Sequence, residues 1–428
     1  MPPPNIVLVL ADSMRTRNVS CYGYERRTTP RLDALAAEGA RFANAFVQAP
    51  FTVSSVASIL TGVYPSAHGL QHYGERLSDK LTTLPELLQA AGYYTAAFVA
   101  NPHINADSGL TRGFTYFTDG RPWYKRPRSM SRLSSWAENG RALNRYVERQ
   151  LRTLNSQPFF FFVFYNDSHI PFSDLPRLFL PLVGSKFHSP DFETMSYSAA
   201  ELARVVDLYD SSQRRADRYI GQLYDIVQRM SQGLNTTFLI SADHGEGLDG
   251  RFERAGHGRL YDSGIHVPLI ISGTGISSPG AVVSEMVASL DLAPTVCELA
   301  GIDAAVQFQG TSLVPFIDQD ASRPSRPYVI SEYHDSRSVR TAQWKLIQRG
   351  AGIGMLDSSD ATDIELYDVQ RDSWEEENVA GQHPDVVAEL SGLLAGFVAD
   401  IAASVHSPSA FEEDEAVIER LRGLGYVI

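Results

Sequence analysis

The chain has 428 residues, a formal net charge of −13 and a hydrophobic fraction of 43%. That length suits two or three units, or one large α/β domain with an appendage, with ample core and no need of disulfides or structural metal to fold. The acidic balance argues against a nucleic-acid partner, whose footprint is a basic patch, and Cys21 and Cys297 are too few for a disulfide framework.

Residues 6–10 form a continuous apolar run ending at Asp12, the pattern of a buried parallel strand. Residues 30–39 read as a helix with Leu32, Leu35 and Ala36 on one side, Thr29 as N-cap and Pro30 at the first position. A helical apolar pattern follows Pro50, and Thr52 is placed to cap it. Residues 84–91 give a further helix stopped by Gly92, and 95–100 a buried strand ending at Asn101. A strand at 159–165, a long amphipathic helix at 199–230, strands at 237–241 and 267–272, and a helix at 290–299 continue the alternation. This rhythm predicts an open, mostly parallel sheet with helices on both faces.

From about residue 323 the pattern changes. Residues 328–332, 339–349 and 364–369 read as strands of antiparallel type, and 384–403 as a helix. The expected organisation is a catalytic α/β domain over 1–322 and a smaller α+β subdomain with a short antiparallel sheet over 323–428. The N-terminus shows no basic leader or cleavage site, and the densest apolar run, 159–165, falls far short of the ~20 residues of a membrane helix. A cytoplasmic protein without a membrane span is expected. Basic charge is carried almost wholly by arginine, since Lys80, Lys125, Lys186 and Lys345 are the only lysines.

Ligands of open α/β sheets bind beyond the carboxyl ends of the strands. There the sequence sets Asp12-Ser13, Asn101-Pro102-His103, Asn166-Asp167-Ser168-His169 and Asp243-His244. A carboxylate and an imidazole side by side suit a divalent ion such as Zn²⁺ or Mn²⁺, with Asp12 as a third ligand. On these residues alone, Asp243 as a turn cap and His244 as a core histidine stays open. Gly245-Glu-Gly247-Leu-Asp-Gly250 matches a dinucleotide fingerprint but continues as a loop rather than opening a helix, so no such cofactor is expected. Thr52, at a helix start that favours anions, is either a plain cap or a metal-activated nucleophile.

Several segments resemble the sulfatase family of the alkaline phosphatase superfamily. They include Asn5-Ile-Val-Leu-Val-Leu-Ala-Asp12, Ala57-Ser-Ile-Leu-Thr-Gly62-Val-Tyr-Pro65, Asp167-Ser-His169-Ile-Pro171, Ser241-Ala-Asp-His-Gly-Glu246 and Leu260-Tyr-Asp-Ser-Gly-Ile-His-Val-Pro-Leu-Ile270. The matches are collinear over nearly the whole chain and imply an alkaline-phosphatase-like fold. The departures concern chemistry. The family's formylglycine-forming cysteine, in Cys-x-Pro-x-Arg, falls on Thr52, its Pro on Ser54 and its Arg on Val56. Threonine cannot become formylglycine, because its β-carbon bears a methyl group. The second of the usual paired acidic residues is Ser13, and the family's Gly-Lys-Trp-His reads Ala100-Asn-Pro-His103.

What remains is similar to the threonine-nucleophile branch of the superfamily, which contains phosphodiesterases and phosphoglycerol or phosphoethanolamine transferases. Carried over residue by residue, the resemblance implies that Asp12, Thr52, Asp243 and His244 hold a metal. His169 and His257 would bind phosphoryl oxygens, protonate a leaving group or hold a second ion. Asn101 and Arg259 would contact an anionic substrate, with a turn-forming and a solvated role open as alternatives; His68, His103 and Glu246 would support the site. The implied cofactors are one or two divalent ions, Zn²⁺ or Mn²⁺ foremost, Ca²⁺ or Mg²⁺ as alternatives. The implied reaction is hydrolysis of a small anionic phosphodiester or phosphomonoester through a phosphothreonine. The alternatives are a sulfuric ester hydrolase without formylglycine, a transferase, and a metal-binding protein without turnover.

Overall fold

The structure is a computed structural model that describes residues 3–118, 139–154, 157–169, 172, 197–231, 235–248, 259–274, 276, 279–303, 308–318, 326–350, 364–402 and 405–410. The strands in chain order are β1 (Asn5–Ala11), β2 (Ala40–Phe46), β3 (Glu75–Arg76), β4 (Tyr94–Val99), β5 (Tyr116–Thr118), β6 (Phe159–Tyr165), β7 (Thr236–Ala242), β8 (Leu269–Gly273) and β9 (Ala281–Ala288). Eight of them form one sheet in the order β5-β4-β6-β1-β7-β8-β2-β9; β3 pairs instead with Ser409–Ala410.

Alternation along β1 explains why the sheet is covered on both sides. Ile6, Leu8 and Leu10 join one core cluster, Val7, Val9 and Ala11 the other, and all are buried. Helices Thr52–Thr61, Leu84–Ala90 and Leu292–Leu299 cover the first face, while Pro30–Glu38, Asn139–Leu151 and Ala199–Met230 cover the second. Among the described residues, no helix is long and apolar enough to cross a membrane.

Register positions the functional edge. Ala11 lies opposite both Tyr165 of β6 and Ala242 of β7, so the residues that follow them emerge together at the carboxyl ends. Val99 of β4 lies opposite Phe164, which brings Asn101 to the same edge.

Several features depart from the sequence reading. β2, β5 and β9 go unforeseen because each is short or mixes apolar residues with polar ones, as in Ala-Arg-Phe-Ala-Asn-Ala-Phe of β2. β8 runs antiparallel to both β7 and β2, a direction that apolar content does not encode. Thr29 holds the N-cap position ahead of Pro30, as expected, but its Oγ1 makes no capping bond and instead accepts the Ser20 N–H. Asp217 of the long helix caps it from outside, accepting the N–H of Leu32 at 2.8 Å and of Arg31 at 3.0 Å.

A second, antiparallel sheet of four strands follows: β10 (Tyr328–Tyr333), β11 (Ser336–Thr341), β12 (Trp344–Gln348) and β13 (Ile364–Asp368). The stretch expected as one strand at 339–349 is thus parts of two strands, with Ala342-Gln343 in the turn and Arg340 opposite Lys345. Helix Pro384–Ile401 lays Leu390 and Leu394 on Ile330, Val339, Leu346 and Leu366. This sheet is fastened to the larger unit by the Glu332 N–H to Gln48 carbonyl bond (2.7 Å) and by a buried ion cluster. In that cluster Lys345 Nζ lies 2.8 Å from Asp262 Oδ1 and 2.7 Å from Glu375 Oε1. Burial works against the Asp262 charge, yet Lys345 and Arg340 hold its carboxyl well below the usual range; burial pushes Glu375 up to about 6.

Candidate active site

Asp12 and Asp243 follow β1 and β7 directly, and His244 comes next; all three are fully buried. Their ligand atoms lie within 4.8 Å of one another. His244 Nε2 is 3.4 Å from Asp243 Oδ2 and 3.7 Å from Asp12 Oδ1. Each carboxylate has its other oxygen held by protein donors. Asn101 Nδ2 donates to Asp12 Oδ2 at 3.0 Å, and Asp243 Oδ1 accepts from the N–H groups of His244 (2.9 Å) and Ser13 (3.2 Å). Ser13 adopts the left-handed region at φ 59° to make that contact, and its carbonyl accepts the Tyr209 hydroxyl at 2.6 Å.

His244 Nδ1 lies 2.8 Å from the Gly245 carbonyl, which only accepts. In the neutral ring Nδ1 therefore carries the proton and the Nε2 lone pair faces the carboxylates. Two buried carboxylates side by side repel unless a cation sits between them. Donor spacings of 3.4–3.7 Å match what three ligands at about 2.1 Å from a shared ion require. The oxygen-plus-imidazole set therefore fits a divalent cation.

Thr52 is not the cap that its position suggests. Phe51 holds the N-cap place, and Thr52 is the first residue of a helix in which every side chain is buried. Its Oγ1 is thereby released from capping and lies 3.3 Å from His244 Nε2. Ser55, one turn on, donates its hydroxyl to the Asp243 carbonyl. Val56, at the position of the family's arginine, is buried in the apolar core and brings no cation.

His68 locks the same helix. Its Nδ1 accepts the Leu70 N–H at 3.0 Å and its Nε2 lies 3.1 Å from Ser58 Oγ. Burial pushes its pKa down to about 3, so it stays neutral and structural. His103 is buried with its ring centroid 4.0 Å from that of Tyr73, and its backbone N–H donates to Asn101 Oδ1 at 2.9 Å. Glu246 is buried beside Arg15, whose guanidinium donates to its carbonyl at 3.2 Å.

His169 is buried at the end of the turn that follows β6, with its N–H on the Asn166 carbonyl at 3.2 Å. Arg215 of the long helix holds that turn, with Nε 3.3 Å from Asp167 Oδ1 and Nη2 2.7 Å from the Asp167 carbonyl. Arg259 is half-buried, its carbonyl close against Gly264. His257 lies outside the described residues. The structure thus brings Asp12, Thr52, Asn101, Asp243 and His244 together. Sequence reasoning placed Ser13 at a strand end without giving it a role, and missed Ser55, Tyr209 and Arg215. Tyr209 and Arg215 sit among further buried polar residues of the long helix, Asp210, Gln213 and Asp217, and only the apolar stripe was legible beforehand.

A model of the sulfatase family matches residues 4–302, and a second, described as N-sulphoglucosamine sulphohydrolase, C-terminal, matches 252–397. The Δ4,5-hexuronate-2-O-sulfatase of Bacteroides thetaiotaomicron is 24% identical over 437 residues, covering 92% of this chain and 89% of the relative. Arylsulfatase K of Bos taurus is 24% identical over 468 residues, covering 94% and 83%. The phosphonate monoester hydrolase of Agrobacterium radiobacter shares the fold with a TM-score of 0.75 at 18% identity, over 96% of this chain and 100% of that one. The first family model alone spans well over half of the chain and includes every strand end that carries the site. The chain belongs to the sulfatase family, ester hydrolases of the alkaline-phosphatase-like superfamily.

Proposed function

We propose that this chain hydrolyses a small anionic phosphate ester, a phosphodiester or a phosphomonoester, with Thr52 as its nucleophile. The observation that carries the reading is the Thr52 hydroxyl, free of capping and 3.3 Å from His244 Nε2 beside two buried carboxylates. Asp12, Asp243, His244 and Thr52 would hold a divalent ion, Zn²⁺ or Mn²⁺ by ligand type. When bound, that ion supplies Lewis-acid polarisation of the threonine hydroxyl and of the ester oxygens.

Thr52 gives up its hydroxyl proton to solvent, and its Oγ attacks phosphorus in line, forming the phosphothreonine bond as the bond to the ester oxygen breaks. The leaving alcohol takes up a proton, from His169 or His257. Water then attacks the phosphothreonine, giving a proton back to that histidine, while the Thr52 oxygen departs and is reprotonated from solvent, releasing phosphate or its monoester. Asn101 orients Asp12, and Ser13 and Ser55 fix Asp243, so the charge is in place before the substrate arrives.

A sulfate ester is the second reading, favoured by curated relatives named as sulfatases. Threonine at position 52 and valine at 56 weigh against the formylglycine route to it. The test is a panel of nitrophenyl phosphate, phosphodiester and sulfate esters with Zn²⁺, Mn²⁺, Mg²⁺ and Ca²⁺. Phosphate ester turnover is expected to be abolished by Thr52→Ala and retained by Thr52→Ser. Full metal-dependent turnover in Thr52→Ala would sink the proposal.

A further inference from the structure

Away from the strand ends, a cavity of about 340 Å³ opens between the start of helix Pro30–Glu38 and the middle of helix Ala199–Met230. Arg31, Arg214, Arg215 and Arg218 line it against Asp217 and Asp225. On a chain of net charge −13 this concentration of arginine is out of keeping with its surroundings.

The partners of each charge show which remain available. Asp217 is spent on the helix N–H groups of Arg31 and Leu32. Arg215 is buried and holds Asp167 through the wall. Arg31 pairs with Asp225, but both groups are about half exposed, and such pairs contribute little that a competing anion must overcome. Arg214 donates to the Arg27 backbone carbonyl, and Arg218 lies over the Tyr219 ring at 5.0 Å. Neither is ion-paired among the described residues. They sit one helical turn apart on an exposed face, where side chains four residues apart are neighbours.

The seat for Arg31 is built into the backbone. A Cβ on Gly221 would fall 2.3 Å from Arg31 Nε and 2.6 Å from its Cγ. Arg31 therefore lies in a notch that only glycine leaves, and donates to the Gly221 carbonyl at 3.1 Å. A glycine inside a long helix costs about 1 kcal/mol relative to alanine, and here it keeps a guanidinium at the rim of the cavity.

The geometry points to a second binding site in this cavity, for a small multivalent phosphate or sulfate oxyanion held by Arg214, Arg218 and Arg31. Guanidinium forks match tetrahedral oxyanions bidentately, and the cavity has room for a small ligand. Arg215 ties the site physically to the turn that carries His169.

Calorimetric titration of sodium pyrophosphate into the full chain tests this, with sodium sulfate as a parallel arm. A binding event is expected that survives Asp243→Asn, which disables the metal cluster, and weakens at least about tenfold in Arg214→Ala/Arg218→Ala. Both arginines are exposed, so the core is untouched; Arg214→Lys/Arg218→Lys, which keeps charge but loses the fork, should fall in between. Tighter binding of one anion identifies the oxyanion that the site prefers. Absence of any event that survives Asp243→Asn, or unchanged affinity in the alanine pair, overturns the site while leaving the role of Thr52 untouched.

Discussion

Replacing His68 by asparagine should change how the protein responds to acid, and the size of that change follows from two hydrogen bonds. The imidazole is fully buried, accepts the Leu70 N–H and faces Ser58 Oγ of the Thr52 helix, so the native state requires it neutral. Burial holds its folded pKa at about 3, below the unfolded value near 6.5. Below pH 6.5 the unfolded chain binds a proton that the native chain refuses. Stability is therefore fully present above 6.5 and is lost as pH falls toward the folded value. At about 1.4 kcal/mol per pH unit per proton, moving from pH 7.5 to pH 5 removes about 2 kcal/mol through this one residue. His266, held by burial at about 4, adds a similar loss in both proteins and cancels from the comparison. Asparagine keeps an acceptor for the Leu70 N–H but gives up ring volume and the Ser58 contact, costing about 1–3 kcal/mol at pH 7.5. The gap between wild type and His68→Asn should then narrow by about 2 kcal/mol at pH 5. Urea unfolding at both pH values, with unchanged m, measures it. A gap independent of pH would refute the assignment of His68 as a neutral structural lock.

Lys345→Met should destabilise by about 3–5 kcal/mol by leaving Asp262 and Glu375 buried without their cation. Adding Asp262→Asn and Glu375→Gln should recover part of that loss in denaturant titrations. Zn²⁺ or Mn²⁺ at 100 times its dissociation constant should stabilise the protein by about 2.7 kcal/mol, read as a rise in Tm, and the rise should vanish in Asp243→Asn. Gly221→Ala should lower Tm despite the better helix propensity of alanine, because the new Cβ displaces Arg31 from its notch.

Much of the site was legible because its residues directly follow apolar runs. Asp12, Asn101 and Asp243 all stand within two residues of a strand end, where an open α/β sheet puts its chemistry. The alignment of those ends was not legible. That Ala11, Tyr165 and Ala242 share a level is a property of pairing between distant segments, which no local pattern carries. Thr52 shows the same limit at finer scale. A cap and a first helical residue differ by one position, and that position decides whether the hydroxyl serves the backbone or faces His244. At Thr29 a good local signal lost to Asp217, which reaches the helix start from almost halfway along the chain.

The place of β1 between β6 and β7 also sets a timetable for synthesis. Ser13 and Asp243 touch across 230 positions of sequence. At about 5–20 residues per second, the first half of the site leaves the ribosome roughly 12–46 s before its partner exists. Throughout that interval β1, apolar on both faces, lacks β7, and until Tyr165 is made it lacks β6 as well, so a nascent chain stalled before Thr236 exposes a sticky strand edge with no enzyme to show for it.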